Sequence, residues 1–126
     1  MVPEEPHKVE IRPVTKEDLV RFYKGEPYPT MKAWLAIVDD EDAGISGLAY
    51  LRGLVVAFMD LRDNARPCKL AMMGYLKRGV YEAKEKHRVI FAVEDQNEPT
   101  APRLLKALGF EKIDDGLNNW RWIREN

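Results

Sequence analysis

Few side chains in this sequence are chemically reactive, and their spacing excludes more than it permits. The single Cys68 stands near the start of the helical stretch 66–86, where a helix N-terminus lowers a thiol's pKa. A nucleophilic thiol also needs a base, and the only histidines are His7 and His87. His87 belongs at the far end of the same helix, so no Cys–His nucleophile is expected. One cysteine and two histidines give no metal-ligand spacing and no disulfide within the chain. Carboxylates remain. Asp60, Glu94 and Asp95 end two strands, where a carboxylate can accept a proton or cap the next helix. Asp63 and Asn64 read as the caps of the long helix.

Those groups are positioned by alternating strands and helices. Residues 9–14 alternate as a first strand. Thr15 and Asp18 then form a capping box, and Val14 and Leu19 a hydrophobic staple, for a helix ending near Gly25. Glu26-Pro27-Tyr28-Pro29 cannot continue it. Strands are expected at 33–38, 45–51 and 54–61, with an acidic turn at 39–44 and another at Arg52-Gly53. Trp34, Ala36 and Val38 share one face. Residues 55–59 hardly alternate, so both faces of that strand should be buried. The helix 66–86 carries a core stripe of Leu70, Met73, Leu76, Val80 and Ala83. A strand at 89–93 follows. Ala101, Leu104, Leu105 and Leu108 then mark a short helix that Gly109 stops in the left-handed conformation, with Phe110 folding back onto Leu105. A hairpin, 110–113 and 120–123, closes the chain. Trp120 and Trp122 share one face of its last strand, as core or as a patch for a dimer interface or an acceptor.

The 126 residues, 45% hydrophobic and 33% charged, fit one globular domain. It is expected over 7–126, after a loose arm at 1–6. A net charge of -1 argues against nucleic acid as a partner. No apolar run is long enough for a bilayer and no signal peptide is visible, so a cytoplasmic protein without a membrane partner is the default.

The order β-α-β-β-β-α-β-α-β-β, over Val9 to Ile123, resembles the GNAT superfamily of acyl-CoA-dependent acyltransferases. The resemblance implies an α/β fold (an α+β mixed sheet), splayed at its centre and flanked by helices. Two stretches carry it. Arg66-Pro67-Cys68-Lys69-Leu70-Ala71 stands where the family has a Gln/Arg-x-x-Gly-x-Gly/Ala loop whose amides hold the pyrophosphate of acyl-CoA. Lys69 replaces the first glycine, and Pro67 removes one amide donor. Asn97 through Gly109-Phe110 matches the second pattern, with one residue inserted at Glu98-Pro99-Thr100. Leu105 takes the position of a tyrosine that commonly protonates the departing thiolate. Leucine cannot do so, but a thiol of pKa about 8.5 leaves without a strong acid.

The resemblance further implies acetyl-CoA as the cofactor, an amine acceptor of unknown identity, and direct attack of the amine on the thioester. Cofactor contacts would come from Leu61, Arg66, Cys68, Lys69, Leu70, Ala71 and Asn97. Asp60 is the first candidate base and Glu94 the second. Tyr28 and Trp34 are acceptor-lining candidates by position. A homodimer is compatible with this reading. The alternative is a noncatalytic GNAT-fold binding or structural protein, since the compact size and altered loop are similar to short phage-encoded members, some of them virion-associated.

Overall fold

The computed structural model of the chain describes residues 6–95 and 98–125. Its elements are β1 (Val9–Pro13), α1 (Lys16–Phe22), β2 (Thr30–Val38), β3 (Glu41–Leu51), β4 (Leu54–Leu61), α2 (Lys69–Lys86), β5 (Val89–Val93), α3 (Ala101–Ala107), β6 (Glu111–Lys112) and β7 (Asn119–Ile123). The strands form one sheet in the order β1-β2-β3-β4-β5-β7-β6. Neighbours are antiparallel except β4 and β5, which α2 connects as a parallel crossover.

Local chemistry explains these elements. Thr15 Oγ1 accepts from the Asp18 amide at 3.2 Å, and the Asp18 carboxylate accepts from the Thr15 amide at 2.8 Å. The expected capping box is therefore present. Asp18 is buried and also holds Arg12 and Arg21, which keeps its carboxyl well below the usual carboxylate range. The acidic turn is tighter than its composition suggested. It is only Asp39-Asp40, both at positive φ (50° and 67°), and β3 begins at Glu41. A register shift where Ala36 gives way to Ile37 absorbs the extra residue, a bulge at Ala43.

The sheet is covered on both faces. On one side α1 buries Leu19 and Phe22 against Ala33, Leu35 and Ile45. On the other, α2 and α3 enclose Leu48, Val55, Ala57, Ile90, Ala92 and Trp120. The buried stripe of α2 is Met72, Leu76, Val80 and Ala83. Leu70 and Met73, expected in it, are not: Leu70 is 83% exposed and Met73 half-buried. The helix proper begins at Lys69 after a 3-10 turn, and counting back from Leu76 by four reaches Met72, which leaves Leu70 off the stripe. α3 ends as expected. Gly109 takes φ 92°, its amide donates to Lys106 O, and the Phe110 amide donates to Leu105 O, both at 3.0 Å. Phe110 and Leu105 then share one core cluster.

Candidate active site

β4 and β5 pair only through Val56–Phe91 and Ala57–Ala92. Each strand then follows its other neighbour. β4 stays on β3 as far as Leu61 opposite Gly44, and β5 stays on β7 as far as Val93 opposite Asn119. Antiparallel pairing on both outer sides thus pulls the two central strands apart. The far half of β4 is left with an open edge, which can offer main-chain hydrogen bonds to an extended ligand.

The gap is a narrow apolar cleft between Phe58 and Met59 on one side and Val93, Leu104 and Leu105 on the other. Its enclosed volume is ≈ 20 Å³, about one water. Asp95 is a shared wall between this cleft and a larger pocket of ≈ 350 Å³, bounded by Leu61, Arg62, Arg66, Lys69 and Glu98.

Asp60 stands near the end of β4, opposite Ile45. Its side chain reaches solvent, but the protein around it raises the carboxyl above its ordinary value; Arg62 opposes this and Asp95 adds to it. The Tyr23 hydroxyl is pushed up to about 12, mainly by burial and further by the charge of Asp60. Asp60 lines neither the cleft nor the larger pocket, but it lies between Met59, which lines the one, and Leu61, which lines the other, and a carboxylate made more basic suits proton acceptance. Glu94 is placed differently. Its carboxylate accepts from the buried Trp120 indole at 3.2 Å, and its amide donates to Asn118 O. Asp95, which the sequence offered beside Glu94 at the end of the same strand, was not ranked among the candidate bases. Beyond Ala57–Ala92 the strands no longer pair, yet Asp95 is near enough to Asp60 to raise its carboxyl, whereas Glu94 is bonded to Trp120.

At the start of α2 the expected anion loop is altered further. Cys68 is fully buried, its amide donates to Ala65 O at 2.9 Å and its thiol contacts the same carbonyl. Burial pushes the thiol pKa up, the reverse of the helix-terminus expectation. Pro67 has no amide and the Cys68 amide is taken by Ala65 O, so neither is available to an anion. No side chain caps this turn; Asn64, expected to, donates instead to Asp42 O at 3.3 Å.

Lys69 is engaged as well. Its ammonium lies 2.6 Å from Glu98 Oε1, with only 11% of the Glu98 side chain exposed. Thr100 donates to the same oxygen from its hydroxyl at 2.6 Å and its amide at 3.3 Å. Burial alone would raise the Glu98 carboxyl, but these donors hold it below its ordinary value. Glu98 therefore stands where an incoming anion would meet Lys69.

Leu105 lines the cleft and belongs to the core, and among the described residues that line the cleft none carries a hydroxyl. Tyr75 packs on Trp34, and Tyr81 is exposed beneath Lys77 and Lys84. Tyr28 stacks on Tyr23 on the α1 side, whereas Trp34 lies against α2, so the structure does not bring these two together. Asn97 lies outside the described residues. Among the described residues no helix is long and apolar enough to cross a membrane, and no cluster could hold a metal ion.

No family model and no curated protein matches the sequence. Solved structures do match. The ribosomal-protein-S18-alanine N-acetyltransferase of Escherichia coli aligns with TM-score 0.59 at 12% identity, over 92% of this chain and 94% of that one. A Bacillus subtilis acetyltransferase in complex with CoA gives 0.52 at 15%, over 94% and 100%. A proposed GNAT-family acetyltransferase from Desulfovibrio desulfuricans gives 0.54 at 16%, over 92% and 99%. At these identities the likeness is one of fold: the chain has the fold of the GNAT acetyltransferases.

Proposed function

We propose that the chain is an N-acetyltransferase that uses acetyl-CoA and an amine, with the reaction at the mouth of the β4–β5 cleft. The observation that carries this reading is the early end of the β4–β5 ladder, which opens a strand edge next to Asp60, a carboxylate raised above its ordinary value. Acetyl-CoA would supply an activated acyl group. The edge at Phe58 to Leu61 would hold its extended arm, and Arg66, Lys69 and the amides at Lys69, Leu70 and Ala71 would meet its phosphates. Asp60 takes the proton from the attacking amine; burial keeps Asp60 basic, and Asp95 adds to this by like-charge repulsion. Glu94, bonded to Trp120, is the second candidate base. With Leu105 in place of a donor, the thiolate leaves unprotonated and takes its proton from water. Tyr28 and the neighbouring Tyr23 are the aromatic surface on the Asp60 side available to an acceptor.

The phosphate pocket also supports a noncatalytic reading. Arg62, Arg66 and Lys69 are balanced there by Asp63, Asp95 and Glu98, so the pocket attracts an anion only weakly until Lys69 leaves Glu98. Thiol release from acetyl-CoA, measured over a panel of primary amines, separates the two. The enzyme reading expects release above the spontaneous rate with at least one amine, and a fall of about 100-fold or more in kcat for Asp60→Asn with unchanged acetyl-CoA affinity. Binding of acetyl-CoA without release for any amine would favour the noncatalytic protein.

A further inference from the structure

A second groove lies between the β2–β3 hairpin and the latter half of α2. It measures ≈ 160 Å³ and shares no lining residue with the cleft or the phosphate pocket. Its walls combine rings with cations. Trp34 and Tyr75 meet at 4.6 Å with 35° between their planes, and the Arg78 guanidinium sits 5.3 Å from the Tyr75 centroid. The α2 wall is opened by Gly79. A Cβ there would meet only Leu48 Cγ, at 4.0 Å, so no close approach requires glycine. Glycine inside a helix costs about 1 kcal/mol relative to alanine, and what it leaves here is space.

The charge is one-sided. Lys32, Arg78 and Lys86 line the groove against one carboxylate, Glu82. Glu82 pairs with Lys32 at 3.4 Å, both well exposed, which makes that pair weak. Neither Arg78 nor Lys86 has an ion pair among the described residues. The volume suits one ring, since an engineered protein cavity of about 150 Å³ accepts benzene, and the open side of the groove leaves room for a second ring fused to it. We propose that this groove binds a small planar aromatic carboxylate, its ring against Trp34 and Tyr75 and its anionic group at Arg78 and Lys86.

Titration of the full chain with naphthoate, followed by NMR of the amides and the Trp34 indole, tests the proposal. Saturable shifts confined to the segments 32–34, 47–50 and 75–87 are expected, with a Kd below ~1 mM. The uncharged naphthamide should bind about tenfold more weakly, and Arg78→Gln should weaken naphthoate by a similar factor. Gly79→Leu should fill the groove and abolish the shifts, while circular dichroism shows the helix content retained and acetyl-CoA binding is unchanged. The naphthamide comparison and the exposed Arg78 variant stand even if Gly79→Leu fails to fold. Absence of saturable shifts, equal binding of naphthamide and naphthoate, or shifts that survive in folded Gly79→Leu would each overturn the proposal.

Discussion

Lys69 and Glu98 show how one substitution can change a site's behaviour. A glycine at 69 would leave bare backbone for an anion; a lysine brings a charge, and Glu98 neutralises it at 2.6 Å. Glu98→Gln should release Lys69 and tighten acetyl-CoA binding by about tenfold, whereas Lys69→Met should weaken it, both by calorimetry. If Glu98→Gln binds more weakly instead, Glu98 orients Lys69 and does not compete with the ligand. At the opposite face, Asp18 is buried among Arg12, Arg21 and the Thr15 amide. Asp18→Asn should cost about 3 kcal/mol at neutral pH in denaturant unfolding. Its folded pKa is depressed, so that stabilisation is complete above about pH 4 and is lost as pH falls below it; the two proteins' stabilities should converge in acid. The sequence exposed Asp18 through its capping spacing, and Asp60 through its place at a strand end. It could not tell that Glu94 is bonded to Trp120 while Asp95 acts on Asp60, because both contacts are set by tertiary packing.

At the scale of elements, legibility followed how local the physics is. The stop of α3 is fixed by bonds within six residues, from Leu105 to Phe110, and the sequence already implied it. Gly109→Ala tests it: at φ 92° a side chain is strained, and its Cβ would press on Lys84 Nζ at 3.2 Å. A loss of about 1–2 kcal/mol is expected, a fall in Tm of several degrees by calorimetry. No loss of stability would mean that the cap contributes little. The start of α2 was less legible. A 3-10 turn before Lys69 decides which residues face the sheet, and the apolar pattern alone offered Leu70 and Met73 as readily as Met72. The side chains of Asp63 and Asn64 likewise looked like caps until the chain placed Asn64 against Asp42 O.

For the molecule as a whole, the order of strands and helices was readable, and with it the mixed sheet whose two faces are both covered. The parting of β4 and β5 was readable only through the resemblance, because it arises from competition: each strand is held by its antiparallel neighbour on the outer side. That parting is the basis of the functional reading, since it turns a covered sheet into a fold with an open edge at its centre. The most direct test is an NMR titration of the intact chain with acetyl-CoA to ~1 mM. The account predicts saturable amide shifts along Phe58 to Leu61, at Lys69 to Ala71 and at Val93 to Asp95, with the β1–β2 edge undisturbed. Shifts confined to other surfaces, or none at that concentration, would contradict it.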